Sequence, residues 1–163
     1  SFMLVTSGMG AHRMNVPKEL AEYKLERAEI VVYLPADWNI SDHEEKNYWP
    51  LRWLKILARL PLEEDSWLGW GHSVPNGKPF AENTQLSSVL LINPENVEEG
   101  AAVCQLPNGE EVNFYQMIPL YEEEVNFKIQ NGAETLLGKM GEISAVVDIH
   151  RLNVCEGFGR SKE

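Results

Sequence analysis

The stretch Ala101-Ala102-Val103-Cys104-Gln105-Leu106-Pro107-Asn108-Gly109-Glu110-Glu111-Val112-Asn113-Phe114-Tyr115-Gln116-Met117-Ile118 sets Pro107-Asn108-Gly109-Glu110 between two strand-like runs. Asn and Gly both tolerate positive φ, which a tight turn between right-twisted strands demands, so the stretch reads as a β-hairpin. A hairpin commits this part of the chain to antiparallel pairing and asks its neighbours for the rest of a sheet. Downstream, from Leu120, the pattern turns helical, with Glu122, Glu123 and Glu124 in a first turn where the helix dipole favours carboxylates. Gly132 interrupts it, residues 133–140 form a short second helix with Leu136, Leu137 and Met140 on one side, and residues 145–149 read as a last strand. Upstream, residues 86–92 are an apolar run stopped by Asn93-Pro94, and residues 68–74 read as a strand entering the turn Pro75-Asn76-Gly77.

Further upstream, residues 2–6 and 30–34 are strand-like, the second a continuous apolar run suited to a sheet interior and closed by Pro35. Residues 15–23 carry only weak helical character. Trp49, Trp53, Ile56, Leu57 and Leu60 recur at i, i+4, i+7, i+8 and i+11, one apolar stripe of a helix with Pro50 in its first turn and Pro61 at its end. Arg52, Lys55 and Arg59 give that helix a small basic face. The order strand, strand, helix, four strands, two helices, strand is α+β, with a largely antiparallel sheet and helices packed on it. A length of 163 residues fits a single domain over 1–163. The start on Ser1, directly before a strand, raises the expectation that native N-terminal residues are missing, and the Gly-rich, charged tail from about residue 155 is expected to fray.

With 44% hydrophobic residues, five Trp and 24% charged residues, the chain can build an ordinary core without metal or disulfide staples. Its net charge of −11 sets it against the phosphate backbone of nucleic acid. The charge is uneven: residues 1–80 balance at −2 and residues 81–163 at −9, and no Lys or Arg lies between Lys78 and Lys128. Charge runs usually mean a solvated face that keeps a protein soluble. The functional alternative is a docking surface marked by Glu98, Glu99, Glu110 and Glu111, steering a basic partner. Cys104 and Cys155 are too few and too far apart for a secreted disulfide scaffold and are expected as reduced, buried thiols. No signal peptide or membrane-length apolar run is present, so a cytoplasmic protein with no membrane partner is expected.

Catalytic and cofactor motifs fail one by one. His12, His43, His72 and His150 never pair at the i, i+4 spacing of a metal site, and His43-Glu44-Glu45 lacks the second His of a zincin motif. Gly8-Met9-Gly10 has Arg13 where a dinucleotide fingerprint needs glycine, and Gly71-His72-Ser73-Val74-Pro75 fails the nucleophile-elbow pattern at its last position. Cys104 sits in an apolar strand, where free cysteine acts as a small core residue. Glu122–Glu124 are explained by their helical turn. No catalytic residue, metal or cofactor is expected, and a hydrolase using His72, Ser73 or Glu122 is the least favoured reading. What stands out is Trp67-Leu68-Gly69-Trp70-Gly71-His72, where two Trp alternate with small residues. Core packing is the plain explanation; the functional one is an aromatic anchor, or a strand whose glycines let a partner segment approach.

Several blocks resemble the suppressor of fused-like domain in its bacterial form. They are Leu4-Val5-Thr6-Ser7-Gly8-Met9, Ala28-Glu29-Ile30-Val31-Val32-Tyr33-Leu34-Pro35 ahead of Trp38, Tyr48-Trp49-Pro50, the run from Trp67 to Gly77, and Phe114-Tyr115-Gln116-Met117-Ile118-Pro119-Leu120-Tyr121. They cover residues 2–154 in the family's order. The resemblance implies an α+β domain that works by binding other proteins. Animal relatives clasp a short peptide of a transcription factor, and many bacterial relatives resemble immunity proteins that neutralise a cognate toxin. The animal proteins carry an acidic residue where this chain has Gly71, and they have a second domain. The expectation is therefore a non-catalytic immunity protein for a basic toxin, with Trp67, Trp70, His72 and the four glutamates as its contact residues. The alternative is a regulatory or scaffold domain binding an endogenous protein or peptide.

Overall fold

The structure, a computed structural model, describes residues 1–95, 98, 100–141 and 145–159. Strand β1 (Phe2–Val5) is followed by β2 (Arg27–Leu34), helix α1 (Glu45–Glu63), β3 (Ser73–Pro75), β4 (Ser88–Ile92), β5 (Val103–Gln105), β6 (Glu111–Leu120), α2 (Glu122–Asn131) and α3 (Ala133–Met140). The weakly helical stretch near residue 20 is a 3-10 helix over Lys18–Tyr23. The sheet is organised by β6. Its first residues pair antiparallel with β5 and its last with β4, while β2 runs parallel along the opposite edge from Val112 to Gln116. Two further antiparallel strands close the sheet, β1 on β2 and β3 on β4, giving the α+β, largely antiparallel architecture.

The hairpin forms with Gln105 opposite Glu111 and Leu106 N–H donating to Glu110 O at 2.8 Å. Of its two central turn residues only Gly109 takes positive φ, at 86°. The turn is thus a three-residue loop with glycine in the left-handed position, rather than a two-residue one.

Alternation along the strands sorts two cores. Ala28, Ile30, Val32 and Leu34 of β2, with Val89, Leu91, Tyr115 and Met117, meet Trp49, Trp53, Leu54 and Leu57 of α1. On the other face Leu90, Ile92, Ile118 and Leu120 meet Val125 of α2, Leu136 of α3 and Cys155. Each fully buried aliphatic side chain contributes roughly 1.5–3 kcal/mol, so the sheet is sandwiched between helical layers that both matter. Among the described residues no helix is long and apolar enough to cross a membrane.

Several local expectations are corrected. Helix α1 starts at Glu45, so Pro50 lies beyond its first turn, and Pro61 lies inside it. Each proline forfeits one backbone bond but buries its ring in the core. At about 100° per residue the buried face centres between Trp53 and Leu57 and takes in Leu54, which leaves Ile56 at the rim, 36% exposed. Residues 145–149 make a single parallel bridge, Val146 with Tyr33, instead of a strand. Of the run 68–74 only Ser73 and Val74 are strand, at the start of β3. Cys104 is exposed on the short strand β5, whereas Cys155 is buried. In the stretch from about residue 155, Cys155 is buried and the Phe158 ring meets Phe127 edge-on with centroids 5.3 Å apart, while residues 160–163 lie outside the described residues.

That C-terminal segment is held by a buried pair. Glu124 has no solvent exposure, and both its oxygens accept from the Arg151 guanidinium, at 2.5 and 2.7 Å. Glu124 also accepts from Tyr121 N–H at the start of α2 (2.8 Å) and from Val154 N–H (3.2 Å), while Arg151 donates to Pro119 O at the end of β6 (2.9 Å). Truncating one partner leaves the other charge buried and alone, at a cost of about 3–5 kcal/mol. Arg151→Ala should therefore lower the unfolding free energy measured by urea titration by an amount of that order, with Glu124→Gln close behind; unchanged midpoints would contradict the role given to the pair.

Candidate protein-binding site

Trp67–His72 follows α1 as an irregular turn, not as a strand. Gly71 has φ of 82°, so the chain reverses there, and its N–H donates to Leu91 O at 2.8 Å while Leu91 N–H donates to His72 O at 2.9 Å. These two bonds pin the turn to β4 at the sheet edge. A side chain on Gly71 would be strained by that φ and would meet Ala133 Cβ at 3.4 Å, so the glycine joins the turn to α3. A Cβ on Gly69 would strike the Trp67 ring at 2.7 Å.

Within the turn, Trp67 is half-buried and meets the His72 imidazole edge-on, with centroids 4.4 Å apart. His72 Nδ1 accepts from Gly69 N–H at 3.1 Å, which leaves the proton of the neutral ring on Nε2. Burial, then the nearby Lys128 cation, holds the His72 pKa below its ordinary 6.5. Lys128 donates to Ser73 Oγ at 3.1 Å, and burial lowers its own pKa. Ser73 Oγ thus accepts from a lysine, while His72 Nδ1 accepts from within the turn. Among the described residues no group of three His, Cys, Asp or Glu side chains could hold a metal. Trp70 is different: its indole is 39% exposed at the tip of the turn.

The acidic residues lie elsewhere. Glu110 is bound by Arg27, at 2.7 Å, and by Arg13, and Arg27 also donates to Gly10 O, so this carboxylate fastens the hairpin to the N-terminal segment. The two guanidinium groups pull its pKa from 4.5 to about 2. Glu111 is half-buried in β6 opposite Gln105, Glu98 is exposed, and Glu99 lies outside the described residues. In register, His72 stands beside Leu91 and hence Met117. Glu111 is six positions further along β6, roughly 20 Å at ~3.4 Å per residue. The Trp–His turn and the hairpin glutamates are therefore two surfaces, not one site. Lys128 escaped the sequence reading, although it is the first base after the base-free stretch and ends it at the turn.

This arrangement of sheet, edge turn and flanking helices can be set beside known proteins. The family model described as Suppressor of fused protein (SUFU) matches residues 1–152. The chain belongs to the suppressor of fused family. An uncharacterized protein of Ureaplasma parvum serovar 3 is 28% identical over 150 residues, covering 91% of this chain and 72% of that protein. A suppressor of fused homologue from Neisseria gonorrhoeae superposes with a TM-score of 0.64 at 19% identity over 93% of this chain and 69% of its own. Drosophila Suppressor of Fused gives 0.65 at 15% identity, over 93% of this chain and 38% of its own. A chain of the Sufu–Fu complex gives 0.60 at 15% identity, over 77% of this chain and 57% of its own. At these identities the likeness carries the fold, and this suppressor of fused domain spans only part of the two longer chains.

Two titrations follow. The folded value of Glu110 lies below its ordinary one, so its contribution to stability is complete above pH 4.5 and is lost as pH falls towards 2. Carboxyl NMR should place its midpoint near 2. His72 is held neutral, so its contribution is in place above pH 6.5 and fades as pH falls through the lowered folded value. Imidazole NMR should show a midpoint under 6.5 that moves up in Lys128→Met.

Proposed function

We propose that this suppressor of fused domain is a non-catalytic protein-binding module acting as an immunity protein, one that occludes a basic toxin encoded beside it. The observation that carries the reading is Trp70, an indole 39% exposed on a turn bonded to the sheet on both sides of Leu91. A large ring with only two side-chain torsions, carried on a bonded turn, loses little conformational freedom on association, which is why Trp so often centres the binding energy of an interface. A protein partner is supported by a structural relative crystallised as the Sufu–Fu complex. A basic partner is supported by the net charge of −11, and by Glu82, Glu98 and Glu122, exposed and without an ion-pair partner among the described residues.

A regulatory domain that binds an endogenous peptide draws support from a different feature. Strand β3 ends the sheet, so one side of its backbone is open to strand addition, and Pro75 confines that addition to a short segment. Salt separates the readings, because an acidic surface steering a basic toxin loses association rate as ionic strength rises.

Co-expression with the product of the neighbouring gene should yield a complex that protects the host, associates more slowly in salt, and is weakened at least about tenfold by Trp70→Ala. Absence of both complex and protection overturns the immunity reading. A complex indifferent to salt and to Glu98→Lys would select the peptide-binding one.

A further inference from the structure

A cleft of about 500 Å³ opens between the loop after β2, the first turn of α1 and residues 146–150. Both walls are fixed by hydrogen bonds. Trp38 Nε1 donates to Asn47 O at 2.8 Å, and Asn47 Nδ2 donates to Asp42 Oδ2 at 2.8 Å. Opposite, Val147 N–H donates to Tyr33 O at 2.9 Å and Thr84 Oγ1 donates to Ile149 O at 3.1 Å. The cleft therefore exists before anything binds, which removes an ordering cost.

Its lining has a definite chemistry. Asp37 is exposed and makes no hydrogen bond or ion pair among the described residues. Asp148 uses one carboxylate oxygen to accept His150 N–H at 2.9 Å and keeps the other. The one lysine of the lining, Lys46, has its ammonium 3.5 Å from the carboxylate of Glu44, which is not part of the lining. Trp38 adds an indole whose nitrogen is occupied, so its ring is held in orientation, and Ile149 and Val147 supply an apolar surface. Two carboxylates repel an anion and leave a neutral side chain without payment for their desolvation. A cation on an aliphatic stem satisfies both, with the stem along Ile149 and a flat head against the indole. Guanidinium suits this better than ammonium, being planar, weakly hydrated and able to reach two carboxylates at once.

We propose that this cleft is a second binding site, taking the arginine side chain of a protein partner. It lies at the N-terminal end of α1, whereas the Trp70 turn follows its C-terminal end; nineteen helical residues span about 28 Å. The site is therefore separate from the turn, and it stands whatever the partner's class.

Titrating the full chain with N-acetyl-arginine amide, followed by NMR, should produce saturable shifts at the Trp38 indole and at the Asn83 and His150 amides. N-acetyl-norleucine amide, with the stem but no charge, should not. Asp37→Asn removes a carboxylate with no internal partner, so it should leave the thermal midpoint unchanged and weaken arginine binding about fivefold. The proposal is overturned if shifts at these residues fail to saturate, if norleucine amide matches arginine amide, or if Asp37→Asn binds as well as the parent.

Discussion

The Glu124 carboxylate has no contact with water, and the Arg151 guanidinium reaches it from a segment twenty-seven positions further along the chain. Removing both charges from water is costly, and it is offset here because nearly every lone pair and N–H has a partner. Glu124 accepts from the start of α2 and from Val154; Arg151 donates to Pro119 at the end of β6 and to Leu152. The pair thereby ties the central strand, the helix that follows it and the C-terminal segment to one point. That segment fills the gap left where β2 and β6 part after Val31 and Gln116: Gln116 Nε2 donates to Ala145 O at 2.8 Å, and Val146 bridges Tyr33. Without the anchor the second core, which includes Cys155 and Phe158, would lose its cover.

The glutamates of the base-free stretch have three fates in the fold. Glu124 and Glu123 are buried, the latter accepting from Asn153 Nδ2 at 3.2 Å, and Glu110 is claimed by two arginines. Glu82, Glu98 and Glu122 face solvent. An electrostatic surface therefore rests on fewer carboxylates than the base-free stretch contains, and the fastening ones contribute little to steering because their fields are largely cancelled nearby. The same selection operates on tryptophan. Trp49 and Trp53 fill the core against Phe80, Trp67 packs on His72, and Trp70 alone among these four presents a large exposed area.

Much of the architecture was legible because its signals are local. The Pro-Asn-Gly turn, the glutamates in the first turn of α2 and the break at Gly132 each act within a few residues, and each element formed where those signals stand. The Trp67–His72 run misled because alternation of large and small residues is shared by strands and by turns that need glycine; the positive φ of Gly71 depends on bonds to Leu91, far off in sequence. Residues 145–149 have strand composition, but among the described residues only Val146 forms a ladder bridge, with Tyr33. The contact residues read from the sequence form two groups about 20 Å apart along β6, and the cleft beside Trp38 had no signal, since its walls come from segments a hundred residues apart.

The sequence by itself determined most of the elements, their order as far as α3, and the family, because hydrophobic period, turn chemistry and short motifs are properties of neighbouring residues. Only the tertiary structure decided which charges are free, which tryptophan is exposed and where a cleft opens. Those depend on what the fold places opposite each side chain: two arginines in front of Glu110, Arg151 against Glu124, and, among the described residues, no hydrogen-bond or ion-pair partner for Asp37.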